Sequence, residues 1–295
     1  MSEINLRKQR DFGESLGAAF EFIRQNFLKL LKPILVFSGI PMLLGGLLIS
    51  TWFSDVMTMS MQAQQPGANA VPPNPFTFLS GMLGGYFFVL LGALLFFLTV
   101  NSYIKLYAEG GDTGLGSIMQ EIKKNFLRYF GGFIVMGVMV MVGAMLCIIP
   151  GIYVAVTFSL VFVVMSVEGI GPFAAMSRSA SLIKENWWAT FGLFIVAYMI
   201  QAMITYIFAL PMYVGQFAMI FSGIEPGASD PAQAMETMQN AMGIMTWYMP
   251  IYMLGASLAN LILLSVTAIR YYSLVETKEG TGDLDKIESL GEQGA

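Results

Sequence analysis

Residues 123–151 read KKNFLRYFGGFIVMGVMVMVGAMLCIIPG, and this stretch decides the fold. Three cations, Lys123, Lys124 and Arg128, precede an uncharged run over 129–149, and Pro150-Gly151 closes it. A helix needs about 20 apolar residues to cross a bilayer core. Pro-Gly breaks a helix and permits a tight reversal, and a second uncharged run, 151–167, follows at once. One helix over both runs would be far longer than a bilayer needs, so the pair reads as a transmembrane hairpin turning at 150–151. Outward from it lie four more apolar runs, at 33–53, 79–104, 189–210 and 248–269. Of 295 residues, 56% are apolar and 12% charged, at a mean hydropathy of +0.67. That charged share is about half the usual ~25% and cannot cover a water-soluble surface. The chain therefore reads as an all-α integral membrane protein, a single membrane domain over 1–295 with six transmembrane helices.

The positions of the charges give an orientation. All 15 Lys and Arg fall in the amino-terminal segment, the second-to-third connection, the fourth-to-fifth connection and the carboxyl end. The connections near 54–78, 150 and 211–247 hold none. The positive-inside rule puts both termini in the cytoplasm. Residues 1–32 are charged and amphipathic, and so are not read as a signal peptide.

Each outgoing span is approached by a similar segment. Aligned without gaps on Asn26, Asn125 and Asn186, the approaches share Ile23, Ile122 and Ile183 three residues before, and Phe27, Phe126 and Trp187 one residue after. Their apolar residues recur at helical spacing, which predicts an amphipathic helix in the cytoplasmic headgroup layer. The asparagines are candidate elbows, because Asn tolerates the left-handed backbone that ends one helix and also caps the next. The returning spans end at Glu109-Gly110, Glu168-Gly169 and Glu276. The expected organisation is three repeated units, about 10–110, 111–170 and 171–275, each an interfacial helix plus a transmembrane hairpin. An acidic cytoplasmic tail, 276–295, follows.

Candidate chemistry is sparse. No histidine is present, which removes the commonest general base and metal ligand. One cysteine, Cys147, excludes an intrachain disulfide. No charge sits mid-span, which argues against ion-coupled transport. Gln201 and Asn260 fall at similar depth on neighbouring antiparallel spans and form a candidate polar intramembrane contact. Glu168 and Arg178 are the candidate cytoplasmic surface, with Arg178 facing lipid phosphate or Glu168. Gly81-Gly85 and Gly255-Ala259 predict close helix packing. Gly110–Gly116 lacks phosphate-loop spacing and reads as a turn capped by Asp112 or Thr113. Alternating Met57, Met59 and Met61 could hold Cu(I), but the spans are equally methionine-rich, so composition is the simpler reading. No cofactor, metal site or nucleic-acid partner is expected.

Ile149-Pro150-Gly151-Ile152-Tyr153, Glu168-Gly169, Pro172, Ala174-Ala175, Arg178-Ser179 and Asn186-Trp187-Trp188 together resemble a bacterial inner-membrane family. Its members carry the label glycerophosphoryl diester phosphodiesterase membrane domain. The resemblance is specific over about 149–196 and architectural elsewhere. It implies a six-span protein of the bacterial inner membrane. The enzymatic label implies a soluble barrel with histidine and acidic residues, which this sequence lacks, so the activity is not carried over. The leading expectation is a non-enzymatic scaffold, assembly or envelope-homeostasis component. Its partners would be membrane lipids and, through the external loops or the tail, other membrane or envelope proteins. The alternative is a transporter or binder of a lipid-like or uncharged small molecule near Gln201 and Asn260. A third reading is a membrane-embedded hydrolase or transferase using Glu168 or Ser177–Ser179.

Overall fold

The structure is a computed structural model that describes residues 4–63, 74–146, 148–222 and 231–280. Among these, every regular element is helical: α1 (Phe12–Ile34), a π-helical segment (Leu35–Gly39), α2 (Ile40–Ala63), α3 (Pro75–Ala108) and α4 (Leu115–Leu146). Then come α5 (Ile148–Thr157), α6 (Val161–Val167), α7 (Pro172–Ile183), a 3-10 turn (Lys184–Asn186), α8 (Trp187–Ser222) and α9 (Pro231–Glu279). Among the described residues, six stretches are long and apolar enough to span a membrane: Phe12–Ser60, Phe78–Ala108, Leu115–Gly143, Ile149–Val167, Pro172–Phe217 and Met242–Glu279. Each contains or overlaps one of the apolar runs read from the sequence. This is a multi-pass membrane protein.

Three local expectations change. The first concerns the asparagine elbows. α1 runs through Asn26 and α4 through Asn125 without interruption, and among the described residues no non-glycine has a positive φ. Both side chains are buried and bond backward along their own helix, Asn26 Nδ2 to the Phe22 carbonyl and Asn125 Nδ2 to the Glu121 carbonyl, each at 3.0 Å. A carboxamide satisfied in this way does not break the helix. Only at Asn186 does the backbone change, in the 3-10 turn between α7 and α8.

The second concerns the hairpin, which reverses before Pro150. Pro150 is the third residue of α5, where a missing N–H costs no intrahelical bond. Cys147, between α4 and α5, lies outside the described residues. Gly143 and Gly151 face each other across the pair, and a Cβ on Gly143 would sit 3.4 Å from the Gly151 Cα. The third concerns the last returning helix, which ends at Glu279-Gly280 rather than at Glu276. Gly110, Gly169 and Gly280 all adopt φ of 62–69°, the left-handed geometry that closes a helix.

The chain forms two compact units, neither contiguous in sequence. The first comprises Met1–Ile34, Leu94–Gln201 and Asn260–Ala295; the second comprises Leu35–Ala93 and Ala202–Ala259. In the first, α1 buries Ser15, Ala19, Phe22, Asn26 and Leu30, spaced three or four apart along one face. In the second, glycines let helices approach closely. A Cβ on Gly46 would lie 2.7 Å from Pro250 Cα, and one on Gly85 2.7 Å from Ile49 Cγ1. Gly255 abuts the ring of Phe208.

Candidate functional site

The fourth span is not one helix. α5 stops at Thr157, α6 starts at Val161, and Phe158–Leu160 form a turn. A broken helix leaves carbonyls that hydrocarbon cannot satisfy, so such breaks persist only where protein supplies partners or a cavity is lined. Here the partners are specific. The Ser159 hydroxyl donates to the Val156 carbonyl at 2.7 Å, and the Ser179 hydroxyl of α7 donates to the Thr157 carbonyl at 2.7 Å. Past the break, inside α6, the Phe162 carbonyl accepts the hydroxyl of the fully buried Tyr129 of α4 at 2.6 Å.

Beside this break, within the first unit, lies a cavity of about 320 Å³. The turn contributes Phe158 and Ser159 to its wall, α3 contributes Phe97, and α6 contributes Phe162. The Phe97 and Phe162 rings, with Phe133, form one cluster with centroids 5.0–5.4 Å apart. From α8 come Phe194 and Tyr198, and from α9 Asn260, Leu263 and Thr267. Ala155 and Tyr198, both lining residues, are solvent-accessible, so the cavity opens at the surface of the unit. Its volume is at the lower end of the ~300–1,000 Å³ range of small-molecule sites.

The two expected intramembrane polar residues meet at this cavity. Gln201 Nε2 donates to Asn260 Oδ1 at 3.0 Å, and Asn260 lines the wall. Gln201 Oε1 is buried with no hydrogen-bond partner. One turn past Thr267, on α9, stands Arg270, only 6% exposed. Its Nε donates to the Thr190 hydroxyl at 3.1 Å, while Nη2 is buried without a partner. The Thr190 hydroxyl in turn donates to the Asn186 carbonyl at 2.8 Å.

Glu168 and Arg178 are brought together. Arg178 Nε donates to Glu168 Oε1 at 2.9 Å, and the Tyr271 hydroxyl donates to the same oxygen at 3.0 Å. Arg178 Nη2 reaches Glu279 Oε1 at 2.5 Å. The three asparagines do not share one role. Asn26 Oδ1 accepts the Tyr103 hydroxyl at 2.8 Å, whereas Asn125 accepts from Arg128 at 2.6 Å and donates to Glu121. Glu121 is ion-paired with Lys105 of α3 at 2.9 Å. The Gly110–Gly116 stretch is a turn. Asp112 accepts from the Ser117 hydroxyl at 2.7 Å and the Gly114 amide at 2.9 Å, and these bonds hold its carboxyl below the usual range. Residues 64–73, the tail from 281, and the side chain of Met61 lie outside the described residues.

Residues 17–224 match a family model. The chain belongs to the Uncharacterised protein family UPF0259. No curated protein and no solved structure matches it. The UPF0259 segment includes the α3, α6 and α8 walls of the cavity, while Asn260, Thr267 and Arg270 lie beyond it.

Sequence reading missed the break at Phe158–Leu160 and the burial of Arg270. The segment Val154–Leu160 contains neither glycine nor proline, so nothing local marks the break. Arg270 was legible only as a cytoplasmic charge. Its burial depends on α8, far away in sequence.

Proposed function

We propose that this UPF0259 chain is a non-enzymatic binder of a lipid-like molecule, held in the cavity of its first unit. The observation that carries this reading is the cavity itself, apolar in its walls, open at the unit's surface and built around a helix break that has dedicated hydrogen-bond partners. Breaking a membrane helix is costly, and this break is held by protein partners beside the cavity, two of its residues, Phe158 and Ser159, forming part of the wall. The hydrolase reading has less support, because Glu168 is engaged by Arg178 and Tyr271 and the Ser179 hydroxyl by a carbonyl.

The setting we infer is the bacterial inner membrane, with both termini cytoplasmic. The one-sided distribution of all 15 basic residues supports the orientation. The resemblance to phosphodiesterase membrane domains supports the compartment. A threefold internal repeat, with approach helices at the cytoplasmic interface, is supported by three returning helices that each close on Glu-Gly, at 109–110, 168–169 and 279–280.

The test is purification of the full chain in native lipid, followed by mass spectrometry of what stays bound. A retained lipid-like molecule, lost in Ala155→Trp at the cavity mouth and weakened in the Gln201→Leu/Asn260→Leu double variant, is the expected result. A wild-type protein that retains nothing overturns the reading. The scaffold role is a second proposal, motivated by the polar external segment 62–75. It predicts a co-isolating envelope protein that is lost when this segment is shortened.

A further inference from the structure

The cavity leaves one chemical question open, and Arg270 bears on it. Among the described residues the other partnered arginines are well supplied. Arg178 has two carboxylates, Arg128 has a carboxamide oxygen and Arg10 has backbone carbonyls. Arg270 is the exception: 94% buried, with one hydroxyl on Nε, no ion pair among the described residues and a buried Nη2 without a partner. A buried charge without a counter-charge is strongly unfavourable. A protein keeps such a group where something else supplies the anion.

Its position says what that anion is attached to. Thr267 and Arg270 are three apart on α9, and Phe194 and Thr190 are four apart on α8, so each pair shares a helix face. Thr267 and Phe194 line the cavity; Arg270 and Thr190 touch each other one turn farther on. At about 1.5 Å per residue, Asn260 to Thr267 gives the cavity a length of about 10 Å along α9. An apolar chamber thus runs from the Gln201–Asn260 pair toward a cation that lacks a counter-ion.

Building on the binding function proposed above, we propose that the ligand is a single-chain anionic amphiphile, with its tail in the cavity and its acid group on the Arg270 guanidinium. The small volume favours one chain over two. The planar fork of arginine suits bidentate pairing with a carboxylate or a monoester phosphate. Thr190 orients that fork through Nε, and the acid group would reach the buried Nη2 by a shift of the side chains between it and the cavity end at Thr267.

The experiment uses purified full-length protein and two probes of equal chain length, dodecanoate and dodecanol, with dodecyl phosphate as a third arm. Wild type is expected to bind dodecanoate or dodecyl phosphate about tenfold or more tightly than dodecanol. Whichever of the two acids binds more tightly identifies the head group. Arg270→Gln should remove that preference, bringing acid and alcohol to similar affinity, while Arg270→Lys keeps part of it. Equal wild-type affinity for acid and alcohol overturns this proposal, and that comparison stands even if Arg270→Gln does not fold. The cavity reading is tested separately: Ala155→Trp should weaken all three probes, and if it weakens none, the binding site itself is wrong.

Discussion

A buried asparagine has to find partners for both ends of its carboxamide, because an apolar protein interior offers none. Asn26 does so by donating to the Phe22 carbonyl on its own helix and accepting the Tyr103 hydroxyl from α3. Tyr103→Phe would leave Asn26 Oδ1 without that bond at a site 2% exposed. The expected cost is about 1–2 kcal/mol, read as a lower thermal midpoint in detergent. Pairing it with Asn26→Leu should recover much of the loss, since removing both partners leaves no orphaned group. A double variant as unstable as the sum of the two singles would refute the pairing. The sequence singled out Asn26 by its phase with Asn125 and Asn186. It could not show the partner 77 residues away, and the geometry it suggested, an elbow, fails because the side chain points inward.

At the scale of the element, the spans were legible and their breaks were not. Hydropathy over 79–104 or 189–210 is a sum over many residues, so no single side chain can undo it. A break depends instead on what stands opposite. Pro150 looked like the turn and is an ordinary early helical residue, whereas Val154–Leu160 looked continuous and is interrupted. The predicted small-residue packing has a sharper form in the second unit. Gly46→Ala would place a Cβ 2.7 Å from a backbone atom of Pro250, which cannot rotate away. We expect a loss of about 1–3 kcal/mol, of the size seen for overpacked cores. Gly137→Ala, with nothing within 4 Å of the added Cβ, is the control and should be neutral. Equal effects of the two substitutions in a thermal or proteolytic assay would remove close packing as the role of Gly46.

Over the whole molecule, the charge pattern makes an orientation testable. In a Cys147→Ser background, a membrane-impermeant maleimide should label Asp55→Cys in intact cells and Lys123→Cys only after permeabilisation. Labelling of both without permeabilisation would refute the orientation. What the sequence by itself determined is the class of the molecule: helical, multi-pass, with six spans and too few charges for water. These properties follow from composition and from runs of about 20 residues, which are additive and local. What only the tertiary structure decided is where the polar groups ended up. The contact of Gln201 with Asn260, the burial of Arg270 against Thr190 and the cavity beside Phe158–Ser159 each join residues from different helices. Two helices place a given pair in contact only at one rotation and one depth, and hydropathy, which averages around the helix axis, carries no record of either.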